Sequence, residues 1–246
     1  MRIGKSSNPA LSLKRFENLA TADYAGSEVM TVNGTVNKTA LMFLIVLVTA
    51  SLTWSMSGSL GYYFMIGGAV AGLILALITI FKPDASPITA PLYAAAEGLA
   101  LGAISSFYAA LYDGIVFKAV GLTFGVLAIV LILYKSGTIK ATPKFKRGMM
   151  AAMGGILLFY LLSFVSSLFG APFSLGNLGL VGIGIQLVIV IVASLSLILD
   201  FDMIETAADN NLPKYMEWYG AFSIMLTLVW LYLELLRLLA LISGRD

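Results

Sequence analysis

The 246-residue chain is 59% hydrophobic and only 11% charged, and its mean hydropathy is +0.94. Soluble proteins are about half apolar and about a quarter charged, so this composition indicates an integral membrane protein. The absence of cysteine and histidine excludes disulfides, zinc sites of the usual kind and haem held by histidine. A net charge of +2 provides no basic surface for nucleic acid.

The chain begins with a polar segment, residues 1–38, which predicts a cytoplasmic amino-terminal tail because it lacks the apolar centre of a signal peptide. Seven apolar runs follow, each close to or above the ~20 residues that cross a bilayer as a helix. They cover residues 39–57, 60–81, 89–112, 115–134, 148–169, 179–206 and 215–243. Because lipid leaves unpaired backbone groups unsatisfied, the runs predict an all-α fold. We therefore expect one domain of seven transmembrane helices over residues 39–246.

The distribution of basic residues predicts the orientation of the helices. Twelve lysines and arginines lie on one side of the predicted bundle and three on the other. Cytoplasmic loops carry the excess, so the amino terminus is predicted inside and the carboxyl terminus outside. We expect the lipid bilayer to be the main partner of such a protein.

Pairs of glycines recur in several apolar runs. Small residues spaced four apart let helix backbones approach in lipid. We expect the glycines of runs two to six to have this packing role. They are Gly68 and Gly72, Gly98 and Gly102, Gly121 and Gly125, Gly154 and Gly155, and Gly182 and Gly184. The same motifs are compatible with dimerisation, so the oligomeric state stays open.

Acidic residues within the apolar runs are the candidate functional side chains. An ionised carboxylate in hydrocarbon must pair, protonate or meet water. Glu97 in the third run and Asp200 in the sixth lack a basic neighbour at helical spacing, and both are predicted in the inner half of the bundle. If their carboxyls met, they would share a proton and titrate as a coupled pair, which is a pH sensor that needs no histidine.

The other acids have simpler interpretations that compete with a functional one. Asp202 and Glu205 fit the solvated inner end of the sixth helix. Glu234 and Arg237 are spaced i, i+3, which favours an ion pair within the seventh helix. Catalysis is not expected, since no nucleophile with a histidine base, no zinc ligand set and no aspartyl protease motif is present.

Three segments carry a resemblance to a known family. They are residues 86–102 (SPITAPLYAAAEGLALG), 199–204 (LDFDMI) and 231–239 (LYLELLRLL). Together they make the chain similar to a bacterial branch of the Bax inhibitor family of membrane proteins, which implies a location in the bacterial inner membrane. The resemblance implies six helices around a hydrophobic seventh, and a pH-sensitive calcium leak in which an acid of helix six pairs with one of helix seven.

By this resemblance Asp200 takes the helix-six position and Glu234 the helix-seven position. Glutamate stands at 234 where the family usually has aspartate, and a basic latch within helix two is missing, with Lys82 the nearest candidate. Glu97 is then an alternative partner for Asp200. No resident cofactor is expected; Ca2+ would be the conducted ion, and whether it also binds at a metal site stays open.

Two functional hypotheses follow. The first is a calcium or other cation leak gated by protonation around Asp200, with Asp202 a further acid of the ion pathway. The second is a regulatory membrane protein that binds a membrane protease or another protein partner through its tail and the basic loop 135–147. A proton-coupled transporter is a third and weaker hypothesis.

Overall fold

A computed structural model describes residues 28–56, 59–170 and 175–244. The described residues contain seven long α-helices: α1 Val32–Trp54, α2 Ser59–Phe81, α3 Ser86–Leu111, α4 Ile115–Lys135, α5 Pro143–Leu168, α6 Leu180–Asp209 and α7 Met216–Ser243. Two short 3-10 helices precede α3 and α6, at Pro83–Ala85 and Leu175–Leu178. All seven α-helices are long and apolar enough to cross a membrane. The predicted all-α membrane fold is confirmed.

Two helices begin at least five residues earlier than the hydropathy pattern predicts, because polar residues cap their first turns. α1 begins at Val32 rather than 39, and the Thr31 hydroxyl accepts a hydrogen bond from Gly34 N at 2.9 Å. α5 begins at Pro143 rather than 148, and Thr142 caps it in the same way. Part of the predicted tail is therefore helical, while residues 1–27 lie outside the described residues.

The seven helices differ widely in how much of their surface is buried. In the most apolar window of α7, 61% of the residues are buried, against 50% for α6 and 6% for α5. α7 is thus the most buried helix. α7 is not the most apolar of the seven helices, so its burial follows from how it packs and not from its hydropathy alone.

The described chain divides into two units. The first unit comprises residues 28–107 and 200–226, which include α1, α2, most of α3, the last turns of α6 and the first turns of α7. The second unit comprises residues 108–199 and 227–244, with α4, α5, the remainder of α6 and the remainder of α7.

Glycines let the helices of the first unit approach closely. A Cβ atom added to Gly98 of α3 would stand 2.7 Å from the carbonyl oxygen of Val46 in α1, and one added to Gly102 would collide with Ala50 and Thr53. Thr53 Oγ1 also donates to the carbonyl of Leu99 at 2.9 Å. α1 and α3 are therefore in backbone contact, as the glycine spacing predicts for this pair of helices.

The glycines of α4 and α5 do not have this role within the described chain. Added Cβ atoms there, and at one glycine of α6, would meet no atom within 4 Å, at Gly121, Gly125, Gly154, Gly155 and Gly184. Within the described residues these positions have no close helix partner, and the alternative of dimerisation stays open for them. The spacing of small residues indicates only that two helices could approach closely. The surface of the neighbouring helix determines whether they do.

Candidate functional site: buried carboxylates

Asp200 lies on α6 in the first unit, and its side chain is only 9% exposed. Ser223 of α7 donates a hydrogen bond to Asp200 Oδ1 at 2.5 Å. A hydroxyl can donate to a carboxylate and can also accept from a protonated carboxyl, so Ser223 can stay bonded to Asp200 in either state. The sequence reasoning considered acids and bases as partners of Asp200 and missed this serine.

The other acids at the end of α6 are less buried. Asp202 is half-buried and Glu205 is exposed. α6 continues to Asp209, so both residues lie in its last two turns. The exposure of Glu205 agrees with the simpler interpretation of a solvated end of the helix.

Glu97 is half-buried on α3, with its carboxylate against Gly72 of α2. A Cβ added to Gly72 would stand 2.5 Å from Glu97 Oε1, so the missing side chain creates the space for the carboxylate. Within the described residues this carboxylate has no hydrogen bond or ion pair. One turn earlier, the hydroxyl of Tyr93 is buried and also lacks a hydrogen-bond partner in the described chain. No contact between Glu97 and Asp200 is established, so their pairing stays a prediction.

Glu234 lies on α7 in the second unit, is 3% exposed, and is surrounded by hydrogen-bond donors. Tyr160 of α5 places its hydroxyl 2.9 Å from both carboxylate oxygens. Gln186 of α6 donates through Nε2 to Glu234 Oε2 at 2.6 Å and to its backbone carbonyl at 3.0 Å. Trp230 donates to Oε1 at 3.1 Å. A buried carboxylate is tolerated when its oxygens are satisfied in this way.

Arg237 completes the Glu234 cluster. Its guanidinium lies 3.2 Å from Glu234 Oε2, which forms the i, i+3 ion pair that the spacing favours. The same group donates to the Tyr160 hydroxyl at 2.6 Å and lies 5.2 Å from the centre of that ring. A guanidinium has only donors and stays charged, so it matches an ionised carboxylate.

Asp200 and Glu234 belong to different units, and each has its own set of partners. Their direct pairing, which the resemblance implies, stays a prediction. Lys82 is exposed between α2 and the following 3-10 helix. It therefore lies at the end of α2 rather than within the helix.

Glu217 in the first turn of α7 is the acid that the sequence reasoning missed. It is only 1% exposed and forms an ion pair with Lys38 of α1. Its Oε1 accepts hydrogen bonds from the backbone N and the hydroxyl of Thr31, both at 2.9 Å. An acid in a first helical turn is normally a solvated residue that interacts favourably with the helix dipole, so nothing in the local sequence indicates that Glu217 is buried.

The buried carboxylates of the described chain are bonded to neutral and basic side chains. In the described parts of the chain, no three acidic side chains are grouped so that they could hold a metal ion. The carboxylates instead bond to hydroxyl, amide, indole, ammonium and guanidinium groups. What they can do chemically is bind or release protons and attract a passing cation.

Seven apolar helices with buried acids define a multi-pass membrane protein of the all-α class. A family model described as Bax inhibitor 1 like matches residues 8–244, and the chain therefore belongs to that family. A search of curated proteins gave no significant match.

Proposed function

We propose that this Bax-inhibitor-like membrane protein is a non-enzymatic cation leak, conducting Ca2+ foremost, whose flux responds to pH through Asp200. We place it in the bacterial inner membrane with the amino terminus inside. The observation that carries the proposal is the burial of Asp200 on a membrane-spanning helix, bonded to the hydroxyl of Ser223. Acids at such positions are costly, and they commonly mark ion or proton pathways.

The two acids of helices six and seven differ in their surroundings, and this supports a division of roles. Glu234 is bonded to the fixed charge of Arg237 and to three neutral donors. Asp200 is bonded to a hydroxyl that can follow a change of protonation. We therefore assign the sensing role to Asp200, and to Glu234 the role of holding its neighbours in place.

The test is Ca2+ flux into liposomes that contain the purified protein, measured from acidic to mildly alkaline pH. Asp200→Asn should remove the pH dependence of the flux. Glu234→Gln should lower the yield or stability of folded protein more than it changes the pH profile of the fraction that folds.

Two results would contradict the proposal. A pH profile that Asp200→Asn leaves unchanged would remove Asp200 as the sensor. A parent protein without flux at any pH would reject the leak, and would favour a regulator that acts by binding a membrane protease or another protein.

A further inference from the structure

A short segment ahead of α1, residues 28–31, lies against the turn between α6 and α7; we call it the strap. Met30 N donates to the carbonyl of Leu212 at 2.8 Å, and Lys214 N donates to the carbonyl of Glu28 at 3.0 Å. These two bonds enclose an antiparallel bridge between Val29 and Pro213. The strap thus joins the start of the described chain to the α6–α7 turn through backbone hydrogen bonds.

Proline fits this bridge for a simple reason. Val29 and Pro213 are the non-hydrogen-bonded pair of the bridge, since the bonds on either side come from their neighbours. The nitrogen of Pro213 is therefore not needed as a donor, and proline costs nothing at this position.

Glu217 fastens the strap to α7. Thr31, the last residue of the strap, gives Glu217 Oε1 two hydrogen bonds. Lys38 pairs with the other oxygen, and Lys214 Nζ lies 3.5 Å from Oε1 and 3.6 Å from Glu28. The strap, α1 and the α6–α7 turn therefore all contribute donors to a single buried carboxylate.

The packing around this carboxylate leaves no spare room. A Cβ atom added to Gly34 would collide with the Glu217 carboxylate. Lys38 also lies 5.5 Å from the ring centre of Trp218, which confines its ammonium group from a second side. If the strap were displaced, the buried Glu217 carboxylate would lose some of its hydrogen-bond donors. The contact therefore stabilises only the arrangement in which the strap meets this carboxylate.

The fastened end of α7 is also in contact with the helix that carries Asp200. A Cβ added to Gly220 would stand 2.9 Å from Ile204 of α6 and 3.0 Å from Thr35 of α1. Three residues further along α7, Ser223 donates to Asp200. A helix is stiff over this distance, so a movement of Glu217 would also move Ser223 relative to Asp200.

We propose that the strap is an autoinhibitory contact: residues 28–31, fastened by Thr31 and Lys38 to Glu217, hold α7 and α6 in a low-flux arrangement, and their release raises the leak. This role rests on the proposed function.

The first test cross-links the strap to the α6–α7 turn through a disulfide and leaves the charges around Glu217 unchanged. The chain has no cysteine, so Val29→Cys with Pro213→Cys gives a single engineered pair. Residues in a non-hydrogen-bonded antiparallel pair have Cα atoms about 4.5 Å apart, which a disulfide can bridge. At the pH where the parent leaks most, the oxidised double variant should leak at least about fivefold less than its reduced form. Each single variant should not respond to the oxidant.

A second variant releases the strap. Glu217→Gln should raise flux at least about fivefold at the pH where the parent leaks least. Asp84→Asn, which changes an exposed acid of the first unit, is the matched control and should leave the flux unchanged.

The possible outcomes distinguish a failure of the proposed strap function from a failure of the proposed leak. Rapid formation of the disulfide shows that the strap is in place, independently of any flux. A pH-dependent parent whose flux changes neither on locking nor in Glu217→Gln overturns the autoinhibitory role and leaves the leak standing. Absence of flux in every form and at every pH overturns the leak, and the strap's role in it.

Discussion

Tyr160 places its hydroxyl at the same distance, 2.9 Å, from both carboxylate oxygens of Glu234. The same hydroxyl accepts a hydrogen bond from Arg237. One phenol on α5 therefore links the acid and the base of an ion pair on α7. The ion pair is held by a neighbouring helix as well as by its own spacing.

Removing that hydroxyl should destabilise the protein. Tyr160→Phe leaves Glu234 and Arg237 without a shared partner, and we expect a loss of about 1–3 kcal/mol in the free energy of unfolding. The measurement is chemical or thermal unfolding in detergent. Tyr63→Phe is the control, since Tyr63 is 70% exposed on α2. An equal effect of the two substitutions would show that the Tyr160 hydroxyl contributes nothing specific.

The bond between Ser223 and Asp200 can be isolated with a double-mutant cycle. Ser223→Ala should destabilise the parent by about 1.5–3 kcal/mol, because it removes a hydrogen bond to an ionisable group. In the Asp200→Leu background, Ser223→Ala should lower the free energy of unfolding by clearly less. The reason is that this background has no carboxyl group to which the serine hydroxyl could donate. Equal costs in the two backgrounds would mean that the two side chains are not coupled.

The contact between α1 and α3 predicts opposite effects for two glycine substitutions. Gly98→Ala forces a methyl group towards the backbone of Val46 and should cost about 1–3 kcal/mol in unfolding free energy. Gly125→Ala on α4 meets open space and should be neutral or stabilising by up to about 1 kcal/mol. Thermal unfolding of both variants in the same detergent is the comparison. A destabilising Gly125→Ala would point to a partner surface on α4 outside this chain.

The orientation can be checked by labelling single cysteines, because the parent has none. Lys140 and Asp113 are exposed in the connections on either side of α4. We expect a membrane-impermeant maleimide to label Lys140→Cys only from the cytoplasmic side and Asp113→Cys only from outside. Labelling of both from one side would mean that α4 does not cross the membrane, and the reverse pattern would invert the topology.

Hydropathy and length predicted the seven helices because each span satisfies its backbone hydrogen bonds within itself. The signal is therefore local and survives without knowledge of any partner. The starts of α1 and α5 were placed too late, since Lys38 and the basic residues after Thr142 look like loop by hydropathy. The caps at Thr31 and Thr142 override this pattern.

The candidate acids were visible in the sequence because a charge inside an apolar run is conspicuous, as with Asp200 and Glu234. Their partners were not visible, except for Arg237, whose i, i+3 spacing from Glu234 favours an ion pair. Trp230 also lies on α7, but an indole four residues away does not by itself indicate a bond to the carboxylate. Ser223, Gln186 and Tyr160 are neutral residues of common type, and nothing in their local sequence marks them as ligands of a carboxylate.

By itself, the sequence determined that this protein is a seven-helix membrane protein with several acids within its apolar helices, because both properties depend on local composition. Only the tertiary structure decided which acids are buried and what neutralises them. Glu217 is the clearest case: it lies in a first helical turn, and its ion-pair partner Lys38 is separated from it by 179 positions. A contact over such a distance in the chain is set by how the helices pack, and no local pattern can encode it.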